Sequence, residues 1–418
     1  MIRIKETLFF LLIALPLIAQ NNSSSPYSST GLGENTFNGT QATRHMGGLD
    51  VFTDSIHANL ANPASYGFLK FTTYSIGVNY INNYISDISE SQNTDIASLD
   101  YLSVSIPTKK FGFGFGIIPF TSIGYRLQDV SELEDSNIFN RYEGSGGLNR
   151  AYFSLGIPIS KNISIGSTLN YNFGNLLYRS GQFVDGIDNG TFLVNESDVS
   201  GFNYQLSLQL VVPINKKFKA QAMFSLEPLS FLDSQNRRIF YTQSLSRETI
   251  IEFTEIDLAQ SNLNRTTLEL SPVTKIGFGL GKNKKWFFGA QYNLTKTSTF
   301  ENRFFERNNV SYQDSKKWSL GGYFIPNYAS FTSFWSRVVY RFGFRSEQMS
   351  TIINNIAIRE NGVTLGLGLP LTGLSNVNVG FEIIQRGQSI SGLVQERILA
   401  LRVGLSLNDI WFIKRVYN

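Results

Sequence analysis

The side chains of this sequence that could do chemistry are mostly arginines and carboxylates with strand-like spacing. Arg337, Arg341 and Arg345 recur at every fourth position, Arg402 follows on a later segment, and Glu382 and Glu396 lie on segments near it. Guanidinium forks match carboxylates two hydrogen bonds at a time. The set reads in two ways: as an Arg–carboxylate ladder that neutralises itself in a half-buried interior, or as a binding site for the acidic head of an amphipathic molecule. Catalysis has little to stand on. The only histidines are His45 and His57, both early in the chain, and His57, two residues from Ser55, reads as a packing residue. No His/Asp/Glu cluster has metal-ligand spacing. Asp185, Asp188, Glu196 and Asp198 make a polar stretch that could take Ca²⁺, but a solvated loop is the simpler reading. From Phe111 to Gly116 aromatic and glycine residues alternate, so Gly112, Gly114 and Gly116 share one strand face. That pattern is no phosphate loop. It permits either close packing or a kink that opens a wall.

Strands must position these residues, because the sequence keeps returning to one kind of turn. An apolar run ends, often at proline, a few Lys- and Asn-rich residues follow, and a new alternating run begins. Ile106–Phe111, Ile157–Ile163 and Val212–Phe218 are three cases, with looser ones at Leu280–Trp286 and Leu369–Leu374. Between them lie longer polar segments, which is the short/long asymmetry of an up-and-down barrel in an outer membrane. Period-two alternation is plain in Thr72–Tyr80, Trp286–Leu294, Val338–Phe344 and Leu399–Leu405. The fold expected is all-β: a transmembrane antiparallel β-barrel. Its strands fall at roughly 71–82, 97–107, 111–120, 149–158, 162–174, 201–213, 218–230, 266–281, 285–297, 315–325, 335–347, 362–370, 376–388 and 395–408. That is about fourteen, with twelve or sixteen as the alternatives. On this reading Arg337, Arg341, Arg345 and Arg402 point into the lumen. Segments 121–148, 175–200 and 231–265 are long loops, and a hairpin around residues 248–253 extends above the membrane.

Bulk composition agrees. Charged residues are 16% of the chain and aromatic residues 14%, fewer charges than the roughly 25% of soluble domains. The net charge of +4 and the confinement of lysines to turns do not suggest a nucleic-acid partner. Absence of cysteine removes disulfides, thiolate metal sites and a lipid-modified N-terminal Cys. Residues 1–20 read as a cleaved export signal, with Arg3 and Lys5 ahead of an apolar Leu8–Ile18 core and Ala19 at the cleavage point. Residues 21–70 lack strand character and are long enough to fold into the lumen as a hatch or plug. The barrel takes residues 71–418.

The motif Asn62-Pro63-Ala64 ends that segment just before the first strand. In this position it resembles the FadL-like family of outer-membrane transporters of hydrophobic compounds. Ser25-Pro26-Tyr27-Ser28, Gly31-Leu32-Gly33 and the ending Trp411–Arg415 resemble a Bacteroidota-type branch of that family, related to PorV-like barrels. The resemblance implies an N-terminal hatch, a hydrophobic ligand pocket, and passive uptake of small hydrophobic or amphipathic molecules without cofactor or energy source. PorV-like relatives instead serve as subunits of secretion or assembly complexes, and a sealed structural barrel is a third possibility. The partners expected are outer-membrane lipid, a hydrophobic small molecule, or another envelope protein. The sequence departs from many outer-membrane barrels by running past its last strand to Asn418 rather than ending on an aromatic residue.

Overall fold

The computed structural model describes residues 23–133, 136–371, 374–390 and 392–411. The expected export signal and the tail from Phe412 lie outside the described residues. Fourteen antiparallel staves close into one barrel. They are β1 (Thr72–Ser86), β2 (Ser91–Pro107), β3 (Gly112–Pro119 continued by Thr121–Leu133), β4 (Ser136–Pro158), β5 (Ile163–Val184), β6 (Asn189–Pro213) and β7 (Phe218–Glu227 continued by Ser230–Ser244). Then come β8 (Arg265–Leu270 continued by Val273–Lys282), β9 (Trp286–Thr295), β10 (Val310–Tyr312 and Ser315–Phe324), β11 (Val339–Ile353), β12 (Ile356–Pro370), β13 (Asn376–Gly387) and β14 (Gln395–Asp409). Each predicted strand corresponds to one stave. The seam closes without slippage from Thr72↔Asp409 to Ser86↔Gln395, and the last stave is Gln395–Asp409.

Alternation does what the pattern demands. Phe153, Leu169, Phe278, Phe288, Phe342 and Phe381 face outward, while Ser154, Asn170, Gln209, Gln291, Arg341 and Glu382 are buried on the opposite face. The recurrent turns are held by their own side chains: Asn215 Oδ1 accepts from the backbone N–H of Lys217 and Phe218, at 2.8 and 2.9 Å.

The three segments expected as long loops are strand instead. β4, β5 and β6 run 23, 22 and 25 residues, well beyond the roughly ten needed to cross a bilayer. Above the membrane both faces meet water or another wet strand, so the apolar half of the alternation disappears and the sequence looks like loop. The expected hairpin is present: Ile250–Glu255 pairs with Ile239–Gln243 of β7.

Inside the wall lies the N-terminal segment, a chain of short turns containing a single α-helical turn at Gln41–Arg44 and a 3₁₀ turn at Pro63–Phe68. Side chains cannot fill a lumen of this width, and this segment occupies it. It bonds to inward residues of β6 (Ala64 N–H to Ser207 Oγ, 2.8 Å), β7 (Thr53 N–H to Gln221 Oε1, 2.9 Å), β9 (Asp50 N–H to Gln291 Oε1, 2.7 Å) and β12 (Gly47 N–H to Thr364 Oγ1, 3.1 Å). Close approach needs glycine in the wall: a Cβ on Gly343 would collide with the backbone of Gly47, and one on Gly166 with that of Ala64. Gly343→Val should therefore leave the barrel closed but unseat the segment. The expected result is unchanged heat-modifiable migration on gels with rapid proteolysis between residues 23 and 60.

Candidate functional site: the charged lumen and the break in its wall

The inward faces of β11 to β14 carry a continuous ion network. Glu382 on β13 is fully buried and meets Arg402 Nε of β14 at 2.8 Å, Arg44 Nε of the N-terminal segment at 2.8 Å, and Arg345 of β11. Arg345 also donates to Glu360 of β12 at 3.0 Å. Glu360 accepts from Arg386 at 2.7 Å, and Arg386 reaches Glu396 at 3.1 Å and Glu34 of the segment. Arg402 closes the set against Asp100 of β2 at 3.3 Å. Arg341 is buried nearby and donates to Asn378 Oδ1 at 2.7 Å. Of the residues expected here, Arg341, Arg345, Arg402, Glu382 and Glu396 come together.

Arg337 does not. It precedes β11, is exposed, and stacks on Phe334 in the turn between β10 and β11. Counting by fours placed it on the inward face, but the strand starts only at Val339, after a turn that reorients it. Sequence reasoning missed Arg386, Glu360, Asp100, Arg44 and Glu34. A signal existed for Arg386, which lies four residues from Glu382 in the same stave, directly across from Glu360 and Glu396. Glu360 lay just outside the expected strand limits and Arg44 and Glu34 in the segment, whereas Asp100 lay inside an expected strand but was not picked out.

Buried charges are costly unless matched, and here each carboxylate meets at least one guanidinium. The arrangement is a fastening between segment and wall. Its carboxylates are taken up by its own arginines, whereas Arg341 has an amide partner and an Nε without a hydrogen bond. A cavity of about 340 Å³ beside the network is lined by Arg44, Lys275, Arg345 and Arg386 together with Glu34 and Glu360, and by Phe120 and Leu32. It is amphipathic rather than apolar.

The Asn62-Pro63-Ala64 motif sits at the floor of the segment. Asn62 is buried, donates to Gln209 Oε1 at 2.6 Å and to Asp50 O at 3.2 Å, and precedes the 3₁₀ turn whose first residue is Pro63. His57 Nδ1 lies 2.6 Å from Asp54 Oδ2, with Nε2 3.3 Å from Asn376. Burial would raise the Asp54 carboxyl, but the adjoining imidazole and two backbone N–H donors hold it below its ordinary value. His45 is wedged against Gly366 and Gly380 with no hydrogen-bond partner on its ring. Burial first, and then Arg341, push its pKa down to about 3. Asp188 accepts from Ser244 and Ser246, and Glu196 and Asp198 share Asn175. Among the described residues no group of His, Cys, Asp and Glu has the arrangement of a metal site.

The glycine run proves to be regular, paired strand. Gly112 and Gly114 make room for Tyr66 of the segment and Gly116 for the carbonyl of Leu102. The break in the wall comes just after them. Pro119 has no N–H to give a neighbour, Phe120 N–H turns to Leu148 O at 2.7 Å, and Gly146 and Gly147 take φ of +104° and +143° opposite. Beyond this point β3 pairs with β4 but no longer with β2. Glu34 and Asn35 pair instead with Ser122 and Thr121 on its freed edge. The proline and the glycine pair were the available sequence signals for this bulge.

Two measurements follow. Glu382→Gln removes the carboxylate that three guanidinium groups share and leaves Arg44 without one, and should lower stability by about 3–5 kcal/mol in urea unfolding, whereas Arg337→Ala should change nothing measurable. An unfolded His45 takes its proton near 6.5 and the folded one only near 3, so stability falls as pH drops through that interval and is indifferent to His45 above it. NMR should show the His45 ring unprotonated at pH 5.

Comparison with known proteins places this geometry. The fold matches the CymD monoaromatic hydrocarbon channel (TM-score 0.58, 13% identity, 90% of this chain and 99% of that one). It matches the Ralstonia pickettii toluene transporter TbuX (TM-score 0.58, 12% identity, 89% and 99%). It also matches a Pseudomonas aeruginosa FadL homologue (TM-score 0.55, 11% identity, 91% and 98%). At these identities the likeness is one of fold. No curated protein sequence matches. A family model, BamG, matches residues 1–418, so this chain, with its FadL-like barrel, belongs to the BamG family.

Proposed function

We propose that this protein is a sealed outer-membrane barrel that docks another envelope protein on its raised outer wall. The observation that carries the reading is the strand Ile250–Glu255. All six of its residues are exposed, and only one of its edges is paired. An open edge bearing Ile250, Ile251 and Phe253 above the expected apolar band is a template for another strand. Glu248 and Asp257 flank it and Glu252 lies within it, so the occupant expected is an extended segment with apolar and basic residues. The charge-saturated lumen points the same way, because a conduit for apolar solutes has no use for a segment fastened by buried ion pairs.

A second reading, passive uptake of hydrophobic or amphipathic molecules, is favoured by the break after Pro119. That break lies beside the cavity at Phe120, where a ligand could leave sideways through the wall.

Mild-detergent purification with mass spectrometry separates the two. Docking predicts a stoichiometric envelope protein that is lost about tenfold in the Ile251→Pro variant, with the barrel still folded. A lone barrel carrying bound lipid or fatty acid would contradict docking and favour uptake.

A further inference from the structure

At the short-turn end, where the N-terminal segment joins the wall, a cavity of about 280 Å³ opens between two turns, and it has a composition unlike the rest of the interior. Lys70 enters from the segment, Lys109 from the turn between β2 and β3, and Lys161 from the turn between β4 and β5. No carboxylate lines it. Among the described residues the lysine ion pairs run through Lys275 and Lys317, not through these three. Three like charges gathered on one cavity repel one another, and an anion placed among them relieves that repulsion.

Thr108 and Ser160 line the cavity beside the lysines, and the rest of the lining is largely apolar. Phe68, Leu69 and Phe111 belong to that apolar part. Phe111 leads into an aromatic row on the outward face, with ring centroids 6.1 Å from Phe111 to Phe113 and 6.2 Å from Phe113 to Phe153. Phe153 is half exposed. This row climbs the face that meets hydrocarbon. A cationic cavity at headgroup depth continuous with an aromatic track above it suits a molecule with an anionic head and a hydrocarbon tail.

We infer that this cavity binds the phosphate headgroup of an anionic membrane lipid, with Lys70, Lys109 and Lys161 holding the phosphate and the Phe111–Phe113–Phe153 row holding an acyl chain. Lysine serves phosphate as a point charge rather than a fork, so the site selects charge and position over shape. The inference is independent of which partner or solute the outer side handles.

The test uses the full-length protein in detergent with added phosphatidylglycerol, read by native mass spectrometry. The wild type should retain one lipid. The Lys70→Gln/Lys109→Gln/Lys161→Gln variant should retain about tenfold less, while Lys216→Gln/Lys217→Gln/Lys219→Gln, in and beside another turn, should match the wild type. Phe153→Ser should also weaken retention, which an ion-only site would not show. Equal retention in the two lysine variants would overturn the proposal. So would full displacement of the lipid by inorganic phosphate, since that outcome identifies a site for the free anion.

Discussion

A closed cylinder of fourteen staves is too wide for its own side chains to fill, and the interior of this protein is organised around that constraint. The N-terminal segment lies in the space, but a segment of short turns has little secondary structure of its own to hold it. What holds it is the wall. Glutamine and serine side chains bond to its backbone on one half of the circumference. On the other half, the buried Arg345–Glu382–Arg402 and Glu360–Arg386 pairs tie in Arg44 and Glu34. Neither part is satisfied alone: without the segment, Glu382 and Arg386 would each lose a charged partner, and without the wall the segment would carry open backbone groups.

The same economy explains the break after Pro119. A barrel tolerates an unpaired strand edge only where something covers it. Here Glu34–Asn35 covers one edge, and Glu34 also bonds Arg386 of β13. Closure of the wall and fastening of the segment thus share a residue, and disturbance of one is felt by the other.

Much of this architecture was legible in the sequence. The Lys- and Asn-rich turns and the two-residue period gave every stave, because lipid on one side and a polar lumen on the other impose opposite chemistry on alternate residues. Glu382, Arg345 and Arg402 stood out because charges inside such strands are rare. What was not legible depends on the third dimension. The strands above the membrane lose their apolar face and read as loop. Arg337 shares its neighbours' spacing but not their strand. Arg44 and Glu34 meet their partners only after more than 300 residues of chain have closed the barrel. The role of Gly112–Gly116 was ambiguous because close packing and kinking both favour glycine; Gly112 and Gly114 lie against the segment's Tyr66.

That the segment seals the lumen, rather than gating it, is the claim on which the functional account turns. Single-channel conductance in planar bilayers tests it most directly. The intact protein should be electrically silent, and a chain lacking residues 23–60 should conduct in steady open steps. Stepwise conductance from the intact protein would contradict the account and return the lumen to the role of a passage.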